Sequence, residues 1–193
     1  QGIDFAAAND IGLIIALDCG IKAIDKVAYA KEKGVDFIIC DHHRPGKTLP
    51  EAVAVLDPKR ADCSYPYEEL CGCGVGFKLI QALGVALEED PLAVVPFLDL
   101  VATAIGADMV PLSGENRTLA YLGVQQINSQ PRPGFKAFIE QMNRGTLSLT
   151  DLNFTIAPRI NAAGRMVHGA HAVALLQTQD INQARTMAAA IGQ

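Results

Sequence analysis

Short apolar runs separated by a helical pattern mark the first sixty residues of the chain. Residues 11–17 are continuously apolar between polar neighbours and predict a strand buried on both faces. Apolar side chains recur at helical spacing over residues 21–33, and Gly34 predicts the end of that helix. Residues 35–40 and 52–56 predict two further strands. This order predicts a βαβ unit with parallel strands and a right-handed crossover.

The rest of the chain is mostly helical in pattern. We expect an α/β fold, a parallel-sheet domain with a largely helical second half, truncated at its N-terminus. Residues 1–193 are expected to form one domain core: a βαβ sheet portion (1–60), a helical portion (61–145), and an arginine-rich loop with connecting helices (146–193). Helices are predicted over residues 77–86, 91–106, 115–128, 134–143, 170–177 and 181–191, with irregular structure over 147–163.

Composition limits the class of protein. Half of the residues are apolar and 19% are charged, which is typical of a globular domain. The net charge of −5 argues against a generally basic surface but leaves room for a local basic groove. No apolar run approaches the roughly 20 residues of a membrane span, so no membrane association is expected. Five cysteines cannot all pair, which favours a reducing compartment and a cytoplasmic location.

The two ends of the chain lack the usual boundary signals. The sequence begins at Gln1 without an initiator methionine, and its last helical pattern has no stop signal. We therefore expect a piece of a longer protein. A sheet without its first strand would expose an edge, and a non-native dimer through that edge is expected.

Acids and imidazoles follow the first two predicted strands. Asp18 comes after the first strand, and Asp41, His42 and His43 come after the second. Ligands of parallel sheets bind beyond the carboxyl ends of the strands. Carboxylate oxygen with imidazole nitrogen suits Mn²⁺, Fe²⁺ or Zn²⁺ better than Ca²⁺ or Mg²⁺. The alternatives are that Asp18 caps the next helix and that the triplet is a polar turn.

Five sequence blocks carry a family resemblance. Their residues and their order along the chain are similar to the motifs of the DHH phosphoesterase superfamily. More narrowly, they resemble those of its bacterial exonucleases that digest single-stranded DNA from 5′ to 3′. The resemblance covers roughly residues 11–178. The blocks are Asp18-Cys-Gly-Ile, Asp41-His-His-Arg-Pro-Gly, Gly74-Val-Gly-Phe-Lys-Leu, Ala107-Asp-Met-Val-Pro-Leu and Ala157-Pro-Arg-Ile-Asn-Ala-Ala-Gly-Arg-Met.

The resemblance implies a hydrolase with a two-metal site that takes Mn²⁺ or Mg²⁺ and acts in DNA repair and recombination. It implies that Asp18 is the bridging carboxylate, that His42 is a direct ligand of one ion, and that Asp108 is that ion's other carboxylate ligand. His43 would lie by the substrate phosphate, and Asp41 would orient the neighbouring imidazole. The alternative for Asp108, which the residues favour when the family is left aside, is an acid in a loop at the end of a helix.

One motif of the family is missing. The superfamily carries an Asp-x-Asp that supplies ligands to both ions, and this chain contains no Asp-x-Asp. We expect the chain by itself to be inactive or nearly so, with at most one weak metal site. The alternatives are a DHH enzyme for short oligonucleotides, cyclic dinucleotides or pyrophosphate, and a DHH module that serves as a non-catalytic scaffold.

A segment near the C-terminus predicts contacts to single-stranded DNA. Residues 158–165 have the composition of a loop, and the resemblance places Arg159 and Arg165 along the path of the strand, with Asn161 as a further polar contact. Pairing of the arginines with acids such as Asp151 is the alternative. Lys78 is a further basic candidate.

Several other polar residues are assigned structural roles. His168 and His171 are expected on a solvated helix face. Cys63, Cys71 and Cys73 form only half of a zinc site, and Asp57 before Pro58 is interpreted as a strand-ending turn. The glycines of residues 72–76 lack the Gly-Lys-Ser/Thr of a phosphate loop and predict close helix packing.

Overall fold

The computed structural model describes residues 1–143, 145–163 and 169–191. These residues form two compact units, Gln1–Pro91 and Leu92–Gln193. The division into portions 1–60, 61–145 and 146–193 stays a prediction.

The first unit is built on a three-stranded parallel sheet in the order β1-β2-β3. The predicted α/β class and the βαβ order of elements are confirmed. A short N-terminal helix that the sequence pattern did not predict comes before β1. The elements are α1 Gly2–Ala8, β1 Leu13–Leu17, α2 Ile24–Glu32, β2 Asp36–Cys40, β3 Ala54–Leu56 and α3 Gly72–Ala86.

The strand register brings the carboxyl ends of the strands level with one another. Leu17 pairs with Cys40, and Cys40 pairs with Leu56. The central strand β2 carries the most deeply buried residues of the sheet, Ile39 and Cys40. The residues that follow the three strands therefore lie side by side along one rim.

The expectation that the first strand is buried on both faces is wrong. β1 pairs only with β2 among the described residues, and the side chains of Leu13, Ile15 and Leu17 are 44%, 48% and 53% exposed. The apolar run identifies residues that favour burial, but it carries no information on how many neighbouring elements cover them. In this sheet β1 is an edge strand.

The second unit is helical. Its core packs around Ile127, Phe135, Phe138, Leu152 and Leu175. A 3₁₀ segment and a short π-helical segment interrupt the helices. The elements are the 3₁₀ segment Pro91–Phe97, α4 Leu98–Asp108, α5 Gly114–Ser129, α6 Pro133–Gln141, α7 Leu149–Asp151, the π-helical segment Leu152–Ile156, α8 Ala157–Ala163, α9 Gly169–Gln177 and α10 Ile181–Ile191.

The structure corrects one predicted irregular segment and one predicted helix start. Residues 147–163 are largely helical, since Ser148 and Asp151 form a capping box that starts α7 and the chain continues helical to Ala163. In the first unit, α3 begins at Gly72 rather than at residue 77, with Cys71 as its N-cap. The glycines of this segment are therefore inside a helix, where they permit close packing.

One helical stretch of the described residues, Pro91–Asp108, is long and apolar enough to cross a membrane by length and composition alone. Of its 18 residues, 39% are buried in the protein, and a buried core helix passes the same test. The stretch is weak evidence for a membrane span.

Candidate metal centre at the carboxyl rim of the sheet

An aspartate follows each of the three strands. Asp18 follows β1, Asp41 follows β2 and Asp57 follows β3. The amide of Asp18 donates to the carbonyl of Cys40 (2.8 Å), and the amide of Asp41 donates to the carbonyl of Leu56 (3.0 Å). The parallel pairing thus continues one step beyond the strands and fixes the positions of these acids.

Asp18 has an unusual backbone conformation and a very close neighbour. Its φ angle is +62°, in the left-handed region that few residues other than glycine adopt. A Cβ atom on Gly72 would lie 2.2 Å from its Oδ1 atom, so the α3 backbone approaches this carboxylate as closely as only glycine permits. Asp18 does not cap α2, whose N-cap is Ala23. The capping alternative is therefore wrong.

Asp41 organises the turn that follows β2. Its buried carboxylate accepts hydrogen bonds from the amides of Ile21 (2.9 Å), His42 (2.8 Å) and His43 (3.2 Å), and Oδ1 lies 2.7 Å from Nδ1 of His43. Burial raises the pKa of Asp41, but these hydrogen bonds outweigh burial and bring the pKa below its usual value. Asp41 is therefore a carboxylate that holds the His43 ring and the turn backbone in place.

Three side chains from the two strand ends converge. Nε2 of His42 lies 3.2 Å from Oδ1 of Asp18, and one ligand atom from each of Asp18, His42 and His43 falls within 4.8 Å of the others. Donor atoms about 2.0–2.2 Å from one ion lie roughly 3–4.4 Å apart, so this spacing is close to that of a metal centre. Oxygen and imidazole nitrogen donors together suit a divalent transition metal. Among the described residues, this is the one group of three or more such side chains.

Asp57 is a rim residue whose interest the sequence interpretation missed. Its side chain is 3% exposed, and Oδ1 accepts a hydrogen bond from the amide of Lys59 (2.8 Å). Burial raises its pKa, partly offset by that amide. The available signal was its position, since Asp57 follows β3 as Asp18 and Asp41 follow β1 and β2.

The other predicted site residues lie in the second unit. Asp108 is the exposed last residue of α4, and its role as a metal ligand stays a prediction. Arg159 is half-buried and Asn161 is exposed, and both lie on α8, so the expected loop is wrong for residues 158–163. Positions two apart on a helix point about 200° from each other, so the two side chains project from opposite sides of α8. Arg165 lies outside the described residues.

The other polar residues considered in the sequence analysis are described next by their positions and hydrogen bonds in the fold. The Cys71 thiol accepts a hydrogen bond from the amide of Gly74 at the start of α3 (3.3 Å). His171 is exposed on α9, as expected, and His168 lies outside the described residues. Asp151 accepts from the amide of Ser148 within the capping box.

The fold and the rim define a class: an α/β domain with a candidate divalent-metal centre at the carboxyl ends of parallel strands. The model of the DHH family, N-terminal domain, matches residues 3–105, more than half of the chain. The chain belongs to the DHH family.

The chain is also similar to curated proteins named single-stranded-DNA-specific exonuclease RecJ. The relative from Salmonella typhimurium is 40% identical over 198 residues, which cover 96% of this chain and 34% of the relative. The relative from Bacillus subtilis is 42% identical over 183 residues, which cover 94% of this chain and 22% of the relative. The chain thus spans about a third or less of the length of these two relatives.

The chain is also similar to solved structures of RecJ proteins. The crystal structure of RecJ in complex with Mn²⁺ from Thermus thermophilus matches with a TM-score of 0.84 and 31% identity, over 97% of this chain and 28% of that chain. A crystal structure of exonuclease RecJ bound to manganese matches with a TM-score of 0.84 and 32% identity, over 97% of this chain and 48% of that chain.

Proposed function

We propose that this chain is the core part of a metal-dependent exonuclease that hydrolyses single-stranded DNA. The observation that carries the proposal is the convergence of Asp18, His42 and His43 within 4.8 Å at the carboxyl rim of the sheet. The relatives supply the substrate class, since their name states exonuclease activity specific for single-stranded DNA. The two manganese-bound RecJ structures support Mn²⁺ as the metal.

The contacts of the rim side chains support a separate role for each of them. Asp18 and His42 would hold one ion through an oxygen and a nitrogen. A divalent ion held there would supply Lewis-acid chemistry to a phosphodiester and to a water molecule. The Asp41 carboxylate holds Nδ1 of His43, so Nε2 is the nitrogen that the exposed His43 ring presents to a substrate phosphate. Asp108 is proposed as a further carboxylate ligand.

The biological setting belongs to the same proposal. Digestion from 5′ to 3′, a place in DNA repair and recombination, and a cytoplasmic location are inferred from the family resemblance and from the odd number of cysteines. The polarity is tested with single strands labelled at either end. Release of the 3′ label before the 5′ label would contradict it.

The test of the proposed function uses the intact protein that carries this chain. We expect Mn²⁺-dependent release of nucleotides from single-stranded DNA, and a loss of at least about 100-fold for His42→Ala and for Asp18→Asn because each removes a ligand. Asp108→Asn tests the third predicted ligand in the same assay. His171→Ala, which changes an exposed histidine on α9, is the matched control and should retain activity.

The same assay separates the alternatives. Faster hydrolysis of short oligonucleotides, cyclic dinucleotides or pyrophosphate than of single-stranded DNA would favour another DHH phosphoesterase. No hydrolysis of any of them by the intact protein would favour a scaffold module. Because the chain contains no Asp-x-Asp, we expect the 193 residues alone to be inactive, and turnover at the rate of the intact protein would contradict this.

A further inference from the structure

The π-helical segment of the second unit presents one aromatic ring to solvent. Phe154 is 72% exposed, whereas Leu152 and Ile156 on either side of it are fully buried. Its neighbours therefore anchor the segment in the core while the Phe154 ring stays outside. π-helical turns are rare in proteins and occur frequently at functional sites. A ring held in this way is accessible to a ligand.

Phe154 shares its side of the helical segment with two residues of α8. Pro158 and Asn161 are exposed, whereas Ala157 is buried and Ile160 is half-buried. Side chains four and three positions apart lie next to one another along one side of a helix. Phe154, Pro158 and Asn161 therefore form one exposed surface, the Phe154 face.

The chemistry of the Phe154 face fits bases better than phosphates. Its three side chains are uncharged, so they offer no ion pair to a phosphate. An aromatic ring stacks on the flat face of any nucleobase, and an asparagine amide both donates to and accepts from the polar edge of a base. Single-stranded DNA leaves its base faces unpaired and open to such contacts.

The π-helical segment also packs against the end of α4 that carries Asp108. A Cβ atom on Gly106 would lie 3.4 Å from the backbone nitrogen of Asn153 and 3.5 Å from its Cα atom, so the two backbones are in close contact. Asp108 lies two residues beyond Gly106, about 3 Å along the helix axis. Phe154 follows Asn153 directly. Within the second unit, the exposed ring and the predicted metal ligand therefore lie on adjoining segments.

We propose that Phe154 is a base-stacking residue: its ring stacks on one unpaired base of the single strand that the protein binds. Asn161 lies on the same face for a polar contact to that strand. This inference rests on the proposed function, because it names the residue that holds a base of the proposed substrate. The ring then leaves water only when the strand is bound.

The contact depends on the ring and not on charge. Every base has a π-face, so stacking tolerates any sequence, as the degradation of arbitrary single strands requires. Stacking of one base on an aromatic residue changes affinity by about 5–150-fold. Contacts to phosphates release counterions and set the salt dependence of binding, whereas stacking leaves it unaltered. Salt dependence therefore distinguishes the two kinds of contact.

Binding of single-stranded DNA to the intact protein without divalent metal measures the contact in the absence of hydrolysis. Phe154→Leu keeps an apolar side chain but removes the π-face, and it should weaken binding by about 5–150-fold with an unchanged salt slope. Phe154→Tyr keeps the ring and should bind as the unsubstituted protein does. Tyr121→Leu, which removes a 63% exposed ring on α5, is the control and should retain full affinity.

Removal of single bases identifies the partner of the ring. Oligonucleotides with one abasic site, moved stepwise along the strand, should reveal a position at which loss of the base weakens binding as much as Phe154→Leu does. There the two changes should not add, because each removes the same contact. Additive losses at every position would overturn the stacking role. If Phe154→Leu does not fold, the unsubstituted protein decides, and an abasic series without a sensitive position would overturn the proposal.

Failure of this proposal is distinguishable from failure of the proposed function. Equal affinity of Phe154→Leu and the unsubstituted protein, together with Mn²⁺-dependent hydrolysis of single-stranded DNA, would remove Phe154 from the substrate contact and leave the nuclease in place. A shallower salt slope in Phe154→Leu would also contradict stacking. No binding of single-stranded DNA by the unsubstituted protein would overturn both proposals.

Discussion

The positions of single side chains decide whether the rim can hold an ion. Asp18 adopts a left-handed backbone conformation that costs of the order of 1–3 kcal/mol, and such conformations concentrate at functional sites. Gly72 leaves the space that this carboxylate occupies, because the Cβ of any larger residue would overlap it. The position of the Asp18 carboxylate therefore depends on Gly72, which has no side-chain atom that could bind a metal.

Gly72→Ala should weaken Mn²⁺ binding by about 10–100-fold, because the new Cβ forces the Asp18 carboxylate out of position. Gly84→Ala, in the same helix with open space around its Cα, is the control. It should leave Mn²⁺ affinity unchanged and raise the free energy of unfolding by up to about 1 kcal/mol, since alanine favours helix. Equal Mn²⁺ affinity in Gly72→Ala and Gly84→Ala would contradict the role of Gly72.

The Asp41 carboxylate should contribute to stability in a pH-dependent way. Its pKa in the folded chain lies below the usual value of 3.8, so the unfolded state binds the proton more readily. The contribution is therefore present above about pH 4 and is lost as the pH falls through the lowered pKa of the folded state. Asp41→Asn should be less stable at neutral pH, and the difference should shrink in acid. Urea unfolding over a pH series that gives a constant difference would argue against this account.

At the scale of elements, a buried ion pair ties the helices of the second unit together. Asp99 of α4 is almost fully buried, and Arg132, which precedes α6, donates to both of its oxygens (2.5 and 2.6 Å). Arg132 also donates to the carbonyl of Leu176 on α9 (2.9 Å). One guanidinium therefore joins three helical segments.

Arg132→Met should destabilise the second unit by about 3–5 kcal/mol, because it leaves the Asp99 carboxylate buried without its partner. The matched control is Arg185→Met, which breaks an exposed pair between α10 and Glu140 of α6 (2.8 Å) and should cost far less. Thermal and chemical unfolding of the two variants measures the difference. A similar loss in both would mean that the burial of Asp99 is unimportant.

Sequence periodicity predicts where helices and strands lie better than it predicts how far other elements bury them. The helix Ile181–Ile191 and the strands β1 to β3 lie where the apolar pattern predicts them, because each pattern is local. The exposure of β1 was not predictable, since it depends on how many elements cover the strand. Residues 147–163 were expected to be irregular because their helix is assembled from a capping box, a π-helical segment and α8, whose mixed spacings blur a single period.

At the scale of the whole molecule, β1 pairs on one side only among the described residues and presents an apolar face. A strand with an open edge and exposed Leu13, Ile15 and Leu17 is a template for pairing with another chain. We therefore expect weak dimerisation of the chain at high concentration. Ile15→Lys should abolish it, because a charge on an edge strand opposes pairing, whereas Val85→Lys on α3 makes the same charge change elsewhere. Light scattering that finds a clean monomer at high concentration would contradict this prediction.

The candidate site was predictable only in part. Asp18, His42 and His43 were found because each lies just beyond a predicted strand, and the ends of parallel strands meet at one rim. Gly72 and Asp57 were missed, since a steric contact and an unsatisfied buried oxygen exist only in three dimensions. The position of Arg159 on a helix was not predicted, because the mixed helical spacings of residues 147–163 concealed α8 as well.

The most direct test of the metal centre is a crystal structure of the chain grown with Mn²⁺ and measured at the manganese absorption edge. An anomalous peak is expected about 2.0–2.3 Å from a carboxylate oxygen of Asp18 and from Nε2 of His42. Well-ordered Asp18 and His42 side chains without an anomalous peak between them, or a peak bound only by other residues, would contradict the assignment of this rim as the metal centre.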